Sequence, residues 1–94
     1  MKFPSIYTKD SRTVIENARE AKRQFIGQMM EAAGEQGLTS TELGIRADTS
    51  PAATTRMKDE NENITLSSMV KFAAVVGCKV KIDLVPDPEA ETEE

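Results

Sequence analysis

The sequence predicts a small, mainly α-helical domain of four to five helices with one C-terminal β-strand. Three observations carry that expectation. Apolar residues recur at helical spacing over most of residues 11 to 76, helix starts are marked by N-capping residues, and residues 79 to 85 alone switch to a period of two. At 94 residues and 38% hydrophobic composition the chain fills one modest core, a size at which a second subunit adds much to stability.

The first helix is expected from Ser11 to about Glu35. Val14, Ala18, Ala21, Phe25, Met29 and Ala32 fall on one face, flanked by Ile15, Ile26, Met30 and Ala33. Ser11 or Asp10 caps its start, Gly27 is a weak point, and Gly34 with Gly37 marks its end. Residues 1 to 10 ahead of it read as an N-terminal arm. A second helix starts at Thr39, because Thr39-Ser40-Thr41-Glu42 matches the capping box, with Leu43 and Ala47 facing inward. Asp48-Thr49-Ser50-Pro51 is a turn and a new start, with Ser50 as N-cap and Pro51 at the first helical position, where its missing N–H costs nothing.

The third helix is expected to reach about Lys58, and the polar run 59 to 64 forms a loop. Thr65 opens a fourth helix with Leu66, Met69, Val70, Ala73 and Val76 as its apolar stripe and Gly77 as its left-handed cap. Lys79-Val80-Lys81-Ile82-Asp83-Leu84-Val85 alternates as a half-buried strand does, and Pro86 stops it. One strand cannot stand alone. The chain offers no convincing second one, so the expected partner is the same strand of another subunit, with Val80, Ile82 and Leu84 as the dimer face and Lys79, Lys81 and Asp83 turned to solvent. Residues 87 to 94 read as a disordered acidic tail, which makes 11 to 86 the folded domain.

Charge and composition narrow the function. The net charge is −4, but the last eight residues hold five acidic side chains and no basic one, which leaves twelve basic against eleven acidic residues in 1 to 86. A nearly neutral domain binds nucleic acid through a local patch rather than a global field. The absence of histidine removes the commonest general base and metal ligand. The single cysteine, Cys78, excludes an intrachain disulfide and a multi-cysteine zinc site and reads as a small core residue. No enzyme, cofactor or metal is therefore expected. No apolar run approaches the ~18 residues of a membrane span, and the first ten residues lack a signal-peptide pattern. The expectation is a cytoplasmic protein without a membrane partner.

Two short helices joined by a tight turn, with further helices packed behind, make a helix-turn-helix arrangement. Leu38, Thr39, Glu42 and Leu43 match the Leu-Thr-x-x-Glu-Leu-Ala pattern of the Xre/Cro-like family, and residues 38 to 77 resemble that family without a gap. The terminal strand further resembles antitoxins of the HigA and HipB type and compact phage regulators. Asp48 stands where the family usually has Gly, Gly44 where it has Ala, and Thr49 and Thr54 where it has Val or Ile. Asp59, Glu60 and Glu62 add negative charge to a loop often near phosphates.

The resemblance implies a lambda-repressor-like bundle that binds double-stranded DNA as a homodimer, a repressor or an antitoxin-type autoregulator of a palindromic operator. The alternative is an interaction module of the same fold that binds a toxin or another protein without DNA. By the docking geometry of the motif, the third helix enters the major groove and the second crosses the backbone. That assigns Pro51, Ala52 and Thr55 to the groove side and Thr54 and Met57 to the core side. Arg56 is a candidate for a bidentate guanine contact or a phosphate clamp. Lys58 is the other base on that helix, Ser40 and Ser50 are candidate phosphate donors besides their capping roles, and Arg46 is a candidate backbone contact. Arg19, Lys22 and Arg23 read as a solvated face paired with Glu16 and Glu20.

Overall fold

The computed structural model describes residues 11–86, so the expected arm and acidic tail lie outside the described residues. Four helices follow one another: α1 (Ser11–Glu35), α2 (Ser40–Arg46), α3 (Pro51–Met57) and α4 (Leu66–Val75). Local chemistry explains where they begin. The side-chain oxygens of Thr39, Ser50 and Thr65 each accept a hydrogen bond from the backbone N–H three residues on, at 3.1 Å in all three cases. Glu42 completes the capping box by accepting from the Thr39 N–H at 3.2 Å.

The helix ends are equally regular. At each of three termini a residue with positive φ is followed by one whose N–H reaches back five residues: Gly37 precedes Leu38, which donates to Ala33 O (2.9 Å), and Gly77 precedes Cys78, which donates to Ala73 O (2.8 Å). After α2 the same Schellman cap is made with Asp48 at φ 52°, and Thr49 N–H donates to Gly44 O at 2.9 Å. An aspartate holds a position that glycine usually takes, because its short polar side chain visits the left-handed region more readily than most.

The core gathers where the C-terminal half of α1 meets the other three helices: Met29 and Ala33 from α1, Leu43 and Ala47 from α2 and its cap, Met57 from α3, and Phe72 and Val76 from α4 and its cap. Two expected stripes differ from this. On α1, Val14, Ala18 and Ala21 are exposed, since a 25-residue helix is roughly 37 Å long and the three short helices cover only part of it. On α4, Leu66 and Val70 are exposed while Phe72 is buried. The ring of Phe72 carries the largest apolar area on that helix and orients it inward, so the buried stripe runs through Phe72, Ala73 and Val76.

The C-terminal segment departs furthest from expectation. No strand forms among the described residues, and 78–86 carry neither helix nor ladder. A ladder needs a second strand, and the described residues supply none. Cys78 is exposed rather than in the core, because it stands just beyond the αL glycine, where the chain has already left the packed face of α4. Among the described residues no helix is long and apolar enough to cross a membrane.

The junction of α2 and α3 depends on a missing side chain. A Cβ at Gly44 would lie 2.6 Å from Thr54 Oγ1, and Thr54, only 4% exposed, is held there by donating from that hydroxyl to Ser50 O at 3.2 Å. Gly44→Ala should therefore destabilise the domain by about 1–3 kcal/mol through overpacking, despite gaining up to ~1 kcal/mol of helix propensity. In a Thr54→Ala background the added methyl finds space. The cost of Gly44→Ala should then vanish or reverse, and a double-mutant cycle by urea denaturation reads the coupling.

Candidate nucleic-acid interface

The candidate face is built on α3. Thr54 and Met57 point into the core, at 4% and 2% exposure, and this fixes the rotation of the helix. With two inward anchors three apart, the residues between them turn outward, as do Pro51 and Ala52 in the first turn, while Ala53 beside the first anchor is half-buried. Pro51, Ala52, Thr55 and Arg56 are accordingly all exposed. The three residues assigned to the groove side from the sequence, Pro51, Ala52 and Thr55, are thus exposed together with Arg56.

The polar groups on this face differ in what remains free. Thr55 Oγ1 donates to Pro51 O at 3.0 Å, so its hydrogen is committed to its own helix while its oxygen remains an acceptor and its methyl remains exposed. Ser50 Oγ accepts the Ala53 N–H at 3.1 Å, the capping role expected of it. The Arg46 and Arg56 guanidinium groups are exposed and carry no hydrogen-bond or ion-pair partner among the described residues.

Ser40 and Lys58 are brought together, although 18 positions separate them. Lys58 Nζ donates to Ser40 Oγ at 2.7 Å, joining the first turn of α2 to the end of α3. The ammonium keeps two hydrogens and the hydroxyl keeps one, so a single anion at this spot would meet donors from both helices. Lys71 on α4, unassigned from the sequence, places another exposed ammonium at the α2–α3 turn by donating to Asp48 O at 3.5 Å. Its signal in the sequence is only that of one basic residue in a helix with little charge.

The basic cluster on α1 behaves differently from a solvated face. Lys22 is 7% exposed, and its ammonium donates to three backbone carbonyls: Arg56 at 2.9 Å, Asp59 and Glu62. Burial pushes its pKa below the ordinary lysine value, and the nearby Asp59 and Glu62 carboxylates pull it back up. Arg19 pairs with Glu16 at 3.3 Å as expected. Arg23 pairs instead with Glu60 of the loop, a hydrogen-bonded contact that raises the guanidinium pKa.

Two of the loop acids are thereby engaged within the domain. Glu60 is held by Arg23, and Asp59 Oδ1 accepts the Asn61 N–H at 2.9 Å. Chemically the face can offer apolar contacts from Ala52 and the Thr55 methyl, an acceptor from Thr55, a planar fork from Arg56, and flanking cations. Comparisons with models of known families, with curated proteins and with solved structures find no match.

Proposed function

We propose that the chain is a sequence-specific, dimeric DNA-binding regulator of the lambda-repressor-like helix-turn-helix type, with α3 as the helix that enters the major groove. The observation that carries this reading is the outward face of α3: Pro51, Ala52, Thr55 and Arg56 exposed together, with exposed Arg46 at the end of α2 and the Ser40–Lys58 pair joining α2 to α3. In a groove, Ala52 and the Thr55 methyl meet thymine methyls, the Thr55 oxygen accepts from an adenine or cytosine amino group, and Arg56 pairs with guanine or clamps a phosphate. Arg46, Lys58 and Lys71 lie across the backbone, where contacts position the domain without reading sequence. Ser40 and Ser50 add hydroxyl donors there.

Such a protein serves as a repressor or as an antitoxin-type autoregulator. A second reading, an interaction module that captures a toxin or other protein, draws support from the exposed Val14 and Ile15 on the uncovered part of α1. The two readings separate in one experiment. Quantitative gel shifts with DNA from upstream of the coding region should show affinity that falls steeply with salt. In Thr55→Ala/Arg56→Ala that affinity should drop by about 1–3 kcal/mol for each base-reading side chain removed, while far-UV circular dichroism and melting temperature stay nearly unchanged because both side chains are exposed. No DNA affinity in the wild type, or equal affinity in the double variant, overturns α3 as the reader.

A further inference from the structure

Residues 79–85 make an unfinished element. None of their backbone N–H or C=O groups has a hydrogen-bond partner among the described residues, and Lys81 and Asp83, two apart as same-side residues of an extended strand are, form an ion pair at 3.6 Å. In a strand Val80, Ile82 and Leu84 would take the opposite face. Val80 is half-buried, whereas Ile82 and Leu84 are 64% and 81% exposed. Across an open groove stand the side chains of Ala21, Phe25 and Met69. A row of free backbone groups beside an exposed apolar face is the geometry that a second strand completes.

We propose that the second strand is the same segment of another copy, paired antiparallel in a single register with the two-fold axis passing through Ile82. The register rests on the homodimer reading and adds the alignment to it. In an antiparallel pair, directly opposed residues point to the same side of the sheet, so a two-fold axis normal to the sheet passes through one residue and its own mate. Near the middle of the segment that residue is Lys81, Ile82 or Asp83.

Charge decides among them. An axis through Lys81 sets two ammonium groups directly against each other, and an axis through Asp83 does the same with two carboxylates, both destabilising. An axis through Ile82 sets Lys81 opposite Asp83 of the other copy, twice. It also sets Val80 opposite Leu84, twice, and Ile82 opposite itself, so every apolar residue of one face meets another apolar residue. Pro86, which lacks an N–H, then lies opposite Cys78 and closes the ladder at both ends.

The register makes a cross-linking pattern that no other alignment shares. In a Cys78→Ser background, Ile82→Cys should oxidise to a disulfide-linked dimer, since opposed residues lie about 4.5–5.5 Å apart, within disulfide reach. Val80→Cys and Leu84→Cys should each fail to cross-link alone, because their own mates are roughly 14 Å away along the strands, yet cross-link to each other when the two proteins are mixed and refolded. Lys81→Asp and Asp83→Lys should each weaken homodimerisation roughly tenfold and restore it when mixed, as all opposed charges become complementary.

Sedimentation equilibrium of the wild type separates the dimer from its register. A monomer at tens of micromolar overturns both. A dimer in which Ile82→Cys stays unlinked overturns the register alone, as does self-linkage of Val80→Cys and Leu84→Cys, which would mark a parallel pair. The charge variants keep the test decisive if any cysteine variant folds poorly, because Lys81 and Asp83 are exposed.

Discussion

Replacing Lys22 by Met should lower the stability of the domain by about 3 kcal/mol, because it removes a charged donor from three carbonyls while leaving most of the apolar stem in place. Hydrogen bonds from a charged group are worth ~1.5–3 kcal/mol, and carbonyls stripped of a donor in a place water reaches poorly add their own cost. Against a total stability of ~5–15 kcal/mol, this corresponds to a melting temperature lower by on the order of 15 °C. Lys22→Arg should recover only part of the loss, since a planar guanidinium cannot aim three hydrogens at carbonyls arranged around a tetrahedral ammonium. Amide hydrogen exchange should accelerate first at residues 56 to 62, the segment that the ammonium gathers. A stability loss below about 1 kcal/mol would show that water takes over the role of the ammonium. Because Arg56 O is one of the three acceptors, the same variant should also weaken DNA binding by loosening the end of α3.

The contrast between Lys22 and the helix caps explains what could be read in the sequence. Thr39, Ser50 and Thr65 act on amides three residues away, so their chemistry is complete within a window of four letters, and Asp48 announces a turn by its own conformational tolerance. Lys22 acts on carbonyls 34 to 40 positions away. Backbone acceptors leave no mark in the letters, and a lysine among glutamates on a helix looks solvated. Gly44 is a similar case: as a letter it is a weak helix former, and only the approach of Thr54 Oγ1 shows why a side chain is unwelcome there. The outward residues of α3 were legible through the docking geometry of the motif that residues 38 to 77 resemble, whereas the Ser40–Lys58 pair joins two helices and needed the fold. The strand pattern of 79–85 was visible, but the described residues hold no second strand to pair with it.

Ile82→Asp should abolish dimerisation while sparing the fold of the single subunit. Ile82 is 64% exposed in the isolated chain, so the subunit core loses little when it is replaced, and any effect on stability must come through association. In the proposed dimer the two Ile82 side chains meet on the axis. Their exchange removes about 1.5–3 kcal/mol of apolar burial for each subunit and opposes two carboxylates in a place with no compensating cation. A total near 4 kcal/mol or more raises the dimer dissociation constant by roughly three orders of magnitude. The wild-type melting temperature should rise with protein concentration and that of the variant should not. DNA separates the consequences further. The variant should keep its affinity for a half-site, because α3 is untouched, but should lose roughly a hundredfold or more on a full palindrome, since two linked readers gain by effective concentration and two free ones do not. An Ile82→Asp protein that still sediments as a dimer, or that binds the palindrome as tightly as the wild type, would move the dimer contact away from residues 79–85.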